Sequence, residues 1–309
     1  MSLRNILSIE EINKEQILKI IESTGYFKEI LERDLKKVPA LRGKTIVNLF
    51  YEPSTRTRTS FEIAAKRLSA DVLNFAPSSS SLEKGETELD TIRTILAMKA
   101  DLAVIRHRDS GFVKYISDNI NIPIINAGDG RHAHPTQALL DLFTIYDHFK
   151  RLEKIKVAIV GDILNSRVAR SDITLFKKMD FDICTVSPSM LLPEDMSYFN
   201  INNFNCIDEV IDKCDVIYML RMQFERQNKK FYPSVREYNR FFSMDIPRFE
   251  RMKPCSILMH PGPVNRGIEI DWRIIDMENE NPAKIKIGEQ VGNGVAVRMA
   301  LLHYLLSQK

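Results

Sequence analysis

At 309 residues the chain has length for two domains of roughly 100 to 200 residues each, and its 44% apolar content can fill two cores, which excludes general disorder. Lysine and arginine total 44 against 41 aspartate and glutamate, so a net charge of +3 gives no field able to hold a polyanion such as nucleic acid. Apolar runs such as 155–163 are broken by charge well short of the ~20 residues of a membrane helix, and the N-terminus shows no secretory signal pattern, so a soluble, cytoplasmic protein is expected.

The first expected element is a helix over 14–31, where Asn13 and Gln16 have capping-box spacing and Ile17, Ile20, Ile21 and Leu31 fall near one face. Apolar runs of strand length follow at 45–50, 72–75, 102–105 and 122–125, then at 156–160, 183–186, 216–220 and 257–259. Helical periodicity lies between them, as in Phe61, Ala64, Ala65 and Leu68 or Leu139, Leu142, Phe143 and Tyr146. Alternation of this kind implies parallel sheets covered by helices. The basic stretch 148–156 separates two such sets, which predicts two α/β domains. The Pro77-Ser78-Ser79-Ser80-Ser81 run marks a mobile loop of the kind that often carries function. Cys184, Cys206, Cys214 and Cys255 have no C-x-x-C spacing and are expected to be buried free thiols.

Parallel sheets bind ligands beyond the carboxyl ends of their strands, so the residues after each apolar run matter most. The first run leads into Glu52-Pro53-Ser54-Thr55-Arg56-Thr57-Arg58 and a helix, which places hydroxyls, backbone N–H groups and arginines at a helix N-terminus. This is either an anion site or an ordinary Ser/Thr cap with exposed arginines. The third run ends in Arg106-His107-Arg108, and the fourth in Asn126-Ala127-Gly128-Asp129-Gly130 before His134-Pro135-Thr136-Gln137 opens a helix. His134 and Gln137, one turn apart, could both face a ligand. His132-Ala133-His134 has the H-x-H form of some metal sites, but His107, His148, His260 and His303 do not complete a ligand set, so no metal is expected. Neither G-x-x-x-x-G-K-[ST] nor G-x-G-x-x-G occurs, which removes most support for nucleotide-dependent chemistry. In the second half the runs end at Gly161-Asp162 with Arg167 next, at Arg221-Met222-Gln223, and at His260-Pro261-Gly262-Pro263. Cations at both sets of strand ends suit a phosphorylated small molecule meeting a carboxylate-bearing one. No Ser-His-Asp or Cys-His spacing suggests a nucleophile, so direct transfer by positioning and charge stabilisation is expected.

These motifs resemble the aspartate and ornithine carbamoyltransferases. The resemblance rests on Ser54-Thr55-Arg56-Thr57-Arg58-Thr59-Ser60-Phe61-Glu62, Lys84-Gly85-Glu86-Thr87, Arg106-His107, the 126–130 run, His134-Pro135-Thr136-Gln137 and Gly292-Asn293-Gly294. The second half is similar to the aspartate enzymes in its 218–226 segment and in His260-Pro261-Gly262-Pro263-Val264-Asn265-Arg266-Gly267, although Gly262 stands where the family usually has Leu. The His-Cys-Leu-Pro run and Ser-Met-Gly loop of the ornithine enzymes are not present.

The resemblance implies two domains, each a parallel β-sheet flanked by helices, with the C-terminal helix packing back on the N-terminal domain. Residues 1–134, completed by 290–309, would bind carbamoyl phosphate; 135–149 would connect; 150–289 would bind aspartate. It implies transfer of the carbamoyl group to L-aspartate, an early step of pyrimidine synthesis, with neither cofactor nor metal. Ser54, Thr55, Arg56 and Thr57 would hold the phosphate, and Ser81 would join them. Arg106 would bridge phosphate and carbonyl. Thr57, Arg106 and His134 would donate to the carbonyl oxygen, while Gln137 and the 261–263 turn (Pro261, Gly262, Pro263) would hold the carbamoyl NH2. Arg167 would take the α-carboxylate, Arg221 and Gln223 the β-carboxylate, and Lys84 would touch both substrates. The family also implies a homotrimer with active sites shared between chains, and leaves open whether a regulatory chain or a dihydroorotase associates. A carbamoyltransferase with another acceptor and a catalytically silent binding subunit are the alternatives.

Overall fold

The computed structural model describes residues 3–75, 87–194, 199–223 and 234–307. Its first element, α1 (Lys14–Glu32), starts with the expected capping box: Gln16 N–H donates to the Asn13 side chain at 2.8 Å and Asn13 N–H to the Gln16 side chain at 3.0 Å. Ile17, Ile20, Ile21, Phe27 and Ile30 form its buried stripe.

Strands and helices then alternate: β1 (Thr45–Phe50), α2 (Thr55–Arg67), β2 (Asp71–Phe75), α3 (Glu88–Ala97), β3 (Leu102–His107), α4 (Phe112–Asn119), β4 (Ile124–Asp129) and α5 (Pro135–Phe149). All pairings are parallel, in the order β2-β1-β3-β4. The central strands β1 and β3 are almost continuously buried, as a sheet covered on both faces requires, whereas edge strand β2 is largely exposed.

The second sheet is built from β5 (Lys156–Val160), α6 (Arg167–Lys178), β6 (Asp182–Val186), β7 (Asn202–Phe204), β8 (Val216–Met219), α7 (Val235–Phe242), α8 (Ile246–Arg251), β9 (Ile257–Met259) and α9 (Trp272–Asp276). Its parallel order is β7-β6-β5-β8-β9. The last helix, α10 (Ile287–Leu306), closes the described chain.

The chain forms two compact units. One holds the described residues up to Phe143 and those from Gly292 on, the other Thr144–Val291; the chain passes between them within α5 and returns within α10. The C-terminal helix therefore packs with the first sheet's unit. No helix among the described residues is long and apolar enough to cross a membrane.

Three expectations change. The 126–129 segment is not a loop after β4 but its second half. Strand β3 runs on to His107 and pairs with it, and the Asn126 N–H donates to the Ile6 carbonyl at 2.8 Å. Strand β7, short and polar, had no apolar alternation to announce it. Of the four thiols only Cys214 is buried; Cys255 is exposed, because it lies in the turn before β9 rather than in the strand.

Candidate active site

In the first unit, β1 delivers the chain to the start of α2. Ser54 is the N-cap residue in extended conformation, and its side chain makes no capping hydrogen bond. A plain Ser/Thr cap would have used that hydroxyl on the N–H groups of the first turn. Thr55 and Arg56 are exposed, and Thr57 is buried. A helix start whose cap hydroxyl is not spent on its own N–H groups is chemically suited to receive an anion.

Arg106 lies near the end of β3. Its Nε sits 3.2 Å from a Glu52 carboxylate oxygen and its Nη1 donates to the Ala127 carbonyl at 3.3 Å, so one acidic and one backbone acceptor orient the guanidinium. The 126–130 run acts as scaffold. Asn126 Nδ2 donates to Asp129 at 2.8 Å, Gly128 N–H to Asn126 Oδ1 at 2.8 Å, and Gly111 N–H to Asp129 at 2.8 Å. At Gly130, φ is +45° and an added Cβ would meet Ser110 Oγ at 2.3 Å, so only glycine lets these loops approach. His107 is structural as well. Its ring stacks on Phe112 at 3.7 Å, its Nδ1 accepts from the Asp109 N–H, and its Nε2 lies 3.1 Å from Glu88.

The H-x-H pair divides. His132 Nδ1 lies 3.0 Å from Asp129, which burial raises and hydrogen bonds to His132 and Asn126 lower to a net value below the usual carboxylate range. His134 is buried at the entrance to α5, its Nδ1 3.5 Å from Thr136 Oγ1. Among the described residues no cluster of three histidine, cysteine or carboxylate groups could hold a metal. Gln137 donates its Nε2 to both oxygens of buried Asp141, at 3.1 and 3.2 Å. A carboxylate only accepts, so this contact fixes which end of the amide is nitrogen and leaves Oε1 as its acceptor.

Behind α2 lies Arg298, which the sequence reading missed. Only 4% exposed, it donates from Nη1 to Ser60 Oγ at 3.1 Å and to the Gly294 carbonyl at 2.9 Å, and it lies over the Phe61 ring. Burial brings it down to about 10, opposed by Asp141 and reinforced by Arg56, so it remains a cation at neutral pH. A Cβ on Gly294 would stand 2.5 Å from Arg298 Nη1, which gives Gly294 a packing reason.

The second unit repeats the strand-to-helix arrangement after β5. Asp162 accepts from the Asn165 backbone and side chain, and Ser166 caps α6 by accepting from Ala169 N–H at 3.1 Å. Arg167, the first helical residue, is only 5% exposed. A buried cation at a helix N-terminus opposes the helix dipole, so an anion belongs beside it. After β8, Arg221 and Gln223 are half-buried and flank Met222, whose side chain enters the core. After β9, His260 N–H donates to Gln290 at 2.9 Å and its Nδ1 accepts from Gly262 N–H at 2.7 Å. Gly262 has φ +62°, comfortable for glycine. Ser81 and Lys84 lie outside the described residues.

Residues 4–147 match the family model described as aspartate/ornithine carbamoyltransferase, carbamoyl-P binding domain, and residues 153–305 the model for the Asp/Orn binding domain. The chain belongs to the aspartate/ornithine carbamoyltransferase family. Curated members similar to it include the aspartate carbamoyltransferase catalytic subunits of Halothermothrix orenii, 46% identical over 99% of this chain and 96% of that one, and of Campylobacter hominis, 47% identical over 99% and 98%. Solved carbamoyltransferases agree. The Trypanosoma cruzi aspartate transcarbamoylase in complex with N-(phosphonacetyl)-L-aspartic acid is 30% identical with TM-score 0.89, covering 99% of this chain and 96% of that one. The catalytic subunit from M. jannaschii is 36% identical with TM-score 0.85 and 99% coverage of both chains.

Proposed function

We propose that this chain transfers the carbamoyl group of carbamoyl phosphate to the amine of L-aspartate, releasing N-carbamoyl-L-aspartate and phosphate, an early step of pyrimidine biosynthesis. Residues 1–134 with 290–309 form the carbamoyl-phosphate half, joined through 135–149 to an aspartate half at 150–289. Ser54, Thr55, Arg56 and Thr57 hold the phosphate on the N–H groups of α2, with Ser81 added. Thr57, Arg106 and His134 donate to the carbonyl oxygen as it gains negative charge, which is the stabilisation a tetrahedral intermediate needs. Gln137, its Nε2 held by Asp141, accepts through Oε1 from the carbamoyl NH2 together with carbonyls of the 261–263 turn, Pro261, Gly262 and Pro263. Arg167 takes the α-carboxylate of aspartate, Arg221 and Gln223 its β-carboxylate, and Lys84 touches both substrates.

In the reaction the amine nitrogen forms a bond to the carbonyl carbon. The bond from that carbon to the phosphate oxygen then breaks, and the leaving phosphate takes the amine proton. No covalent intermediate with the protein and no metal or organic cofactor enters. The working unit is a homotrimer in which Ser81 and Lys84 serve a neighbouring chain. A regulatory chain or a dihydroorotase would be additional partners.

The observation that supports aspartate over ornithine is a second arginine on the acceptor half, half-buried Arg221 after β8 beside buried Arg167 at the start of α6, because ornithine shares the α-carboxylate but brings no second one. A fixed cation there attracts a carboxylate, whereas an acceptor half built for an ammonium tail would be acidic or neutral. A ureido-product assay with aspartate and ornithine in parallel tests this. Product with aspartate alone is expected; product with ornithine alone, or with neither, would overturn it.

A further inference from the structure

Glu269 is a fully buried carboxylate in the second unit, flanked by Ile268 and Ile270, and none of the roles above uses it. Three donors converge on its two oxygens. Met222 N–H reaches Oε1 at 2.7 Å, Asn265 Nδ2 reaches the same oxygen at 2.7 Å, and Asn265 N–H reaches Oε2 at 2.7 Å. Asn265 Nδ2 also lies 3.3 Å from the Met222 carbonyl oxygen. Met222 separates Arg221 from Gln223, and Asn265 comes two residues after the 261–263 turn. One side chain thus ties the segment after β8 to the segment after β9, across 47 positions of sequence.

Burying a carboxylate is costly, and hydrophobic residues of similar size could fill the space more cheaply. What an apolar residue could not do is accept three N–H groups from two separate loops. Burial raises the carboxyl to about 6 even though all three donors favour its charged form. The group is therefore held at an energetic cost in the place where both loops need an acceptor.

We infer that Glu269 is the positioning residue of the acceptor half: by clamping Met222 and Asn265 it sets Arg221 and Gln223 in register with the 261–263 turn, so that the β-carboxylate of a dicarboxylate acceptor meets a preformed pair of donors. This rests on the aspartate-transfer function proposed above. Gln at this position cannot replace Glu. Whichever way its amide faces, its NH2 end points at a backbone N–H and leaves that donor without an acceptor.

The experiment compares wild type, Glu269→Gln and Asn265→Ala in steady-state kinetics, with inorganic phosphate as inhibitor and thermal unfolding followed by the fluorescence of Trp272, the single tryptophan. Phosphate reports on the α2 start alone. Glu269→Gln should raise the KM for aspartate at least tenfold and lower kcat, while the inhibition constant of phosphate stays within about twofold. Asn265→Ala, which removes one of the three donors and leaves the carboxylate in place, should shift the aspartate KM in the same direction by a smaller factor, and it carries the test if Glu269→Gln does not fold. An unchanged aspartate KM in folded variants, or a parallel rise in the phosphate constant, would overturn the clamp. Wild type forming no product from aspartate would instead overturn the function it rests on.

Discussion

The starts of α2 and α6 both follow the carboxyl end of a parallel strand, yet they are made of different materials. At α2 the capping serine makes no capping bond, and Thr55 and Arg56 are exposed. At α6 Ser166 does cap the helix, and the offered group is a single guanidinium, Arg167, buried to 5% exposure. A tetrahedral, multiply charged phosphate is matched by many short donors around a helix end, while a lone planar carboxylate is matched by one rigid fork. On the proposed assignment the two halves are sorted by the shape of the anion each receives, not merely by its sign.

Removing a donor that acts on the developing charge should give the largest effect. Arg106→Ala leaves Glu52 and the Ala127 carbonyl without their guanidinium and takes a charge-assisted donor from the carbonyl oxygen. Turnover should fall by a factor of about 100 to 1,000, on the order of 3 kcal/mol. Near wild-type kcat would show that Arg106 does not face the reacting carbonyl.

Arg221→Ala should act on the other half alone. The KM for aspartate should rise about 10- to 100-fold, the value of a hydrogen bond to a charged partner, with the KM for carbamoyl phosphate little changed. An equal rise in both would erase the division between the halves.

The smallest effect should come from an ion pair that none of the proposed roles uses, between half-exposed Asp208 and buried Arg248. Asp208 accepts from Arg248 at 2.7 Å and Arg251 at 2.5 Å, and chiefly the Arg248 hydrogen bond lowers its carboxyl to about 2. A depressed folded value means that the stabilisation is present above the unfolded value of about 3.8 and is lost as pH falls through about 2. With 37% of the side chain exposed, solvent screening limits the gain to about 1 kcal/mol or less. The difference in unfolding midpoint between wild type and Asp208→Asn should therefore shrink between about pH 4 and pH 2, with activity at neutral pH unaffected. A difference independent of pH would remove the ionic explanation.

The phosphate side was legible because its residues are neighbours in sequence. Ser54 to Arg58 occupy one helix start, and His134 and Gln137 one turn of another, so strand-then-helix periodicity placed each set, while their proposed roles came from the family resemblance. The acceptor side was only half legible. Arg167 and Arg221 stood out as polar residues after apolar runs, but Glu269, the carboxylate that ties the segment carrying Arg221 to the one after β9, sits between two isoleucines and bonds across 47 positions. Asp141 and Arg298 escaped for the same reason. A charge inside an apolar stretch signals burial, but the fold alone reveals its partner. The 126–129 run was misread as a loop because its glycine and polar residues mimic turn chemistry, while pairing with β3 keeps it in the sheet.

The central claim is that the two halves hold different anions, and binding of inorganic phosphate to two single variants, measured by calorimetry, tests it most directly. Arg56→Ala should weaken phosphate at least tenfold, because it removes a cation from the α2 start, and Arg167→Ala should leave the dissociation constant within about twofold. Equal losses in the two variants, or a loss confined to Arg167→Ala, would contradict it.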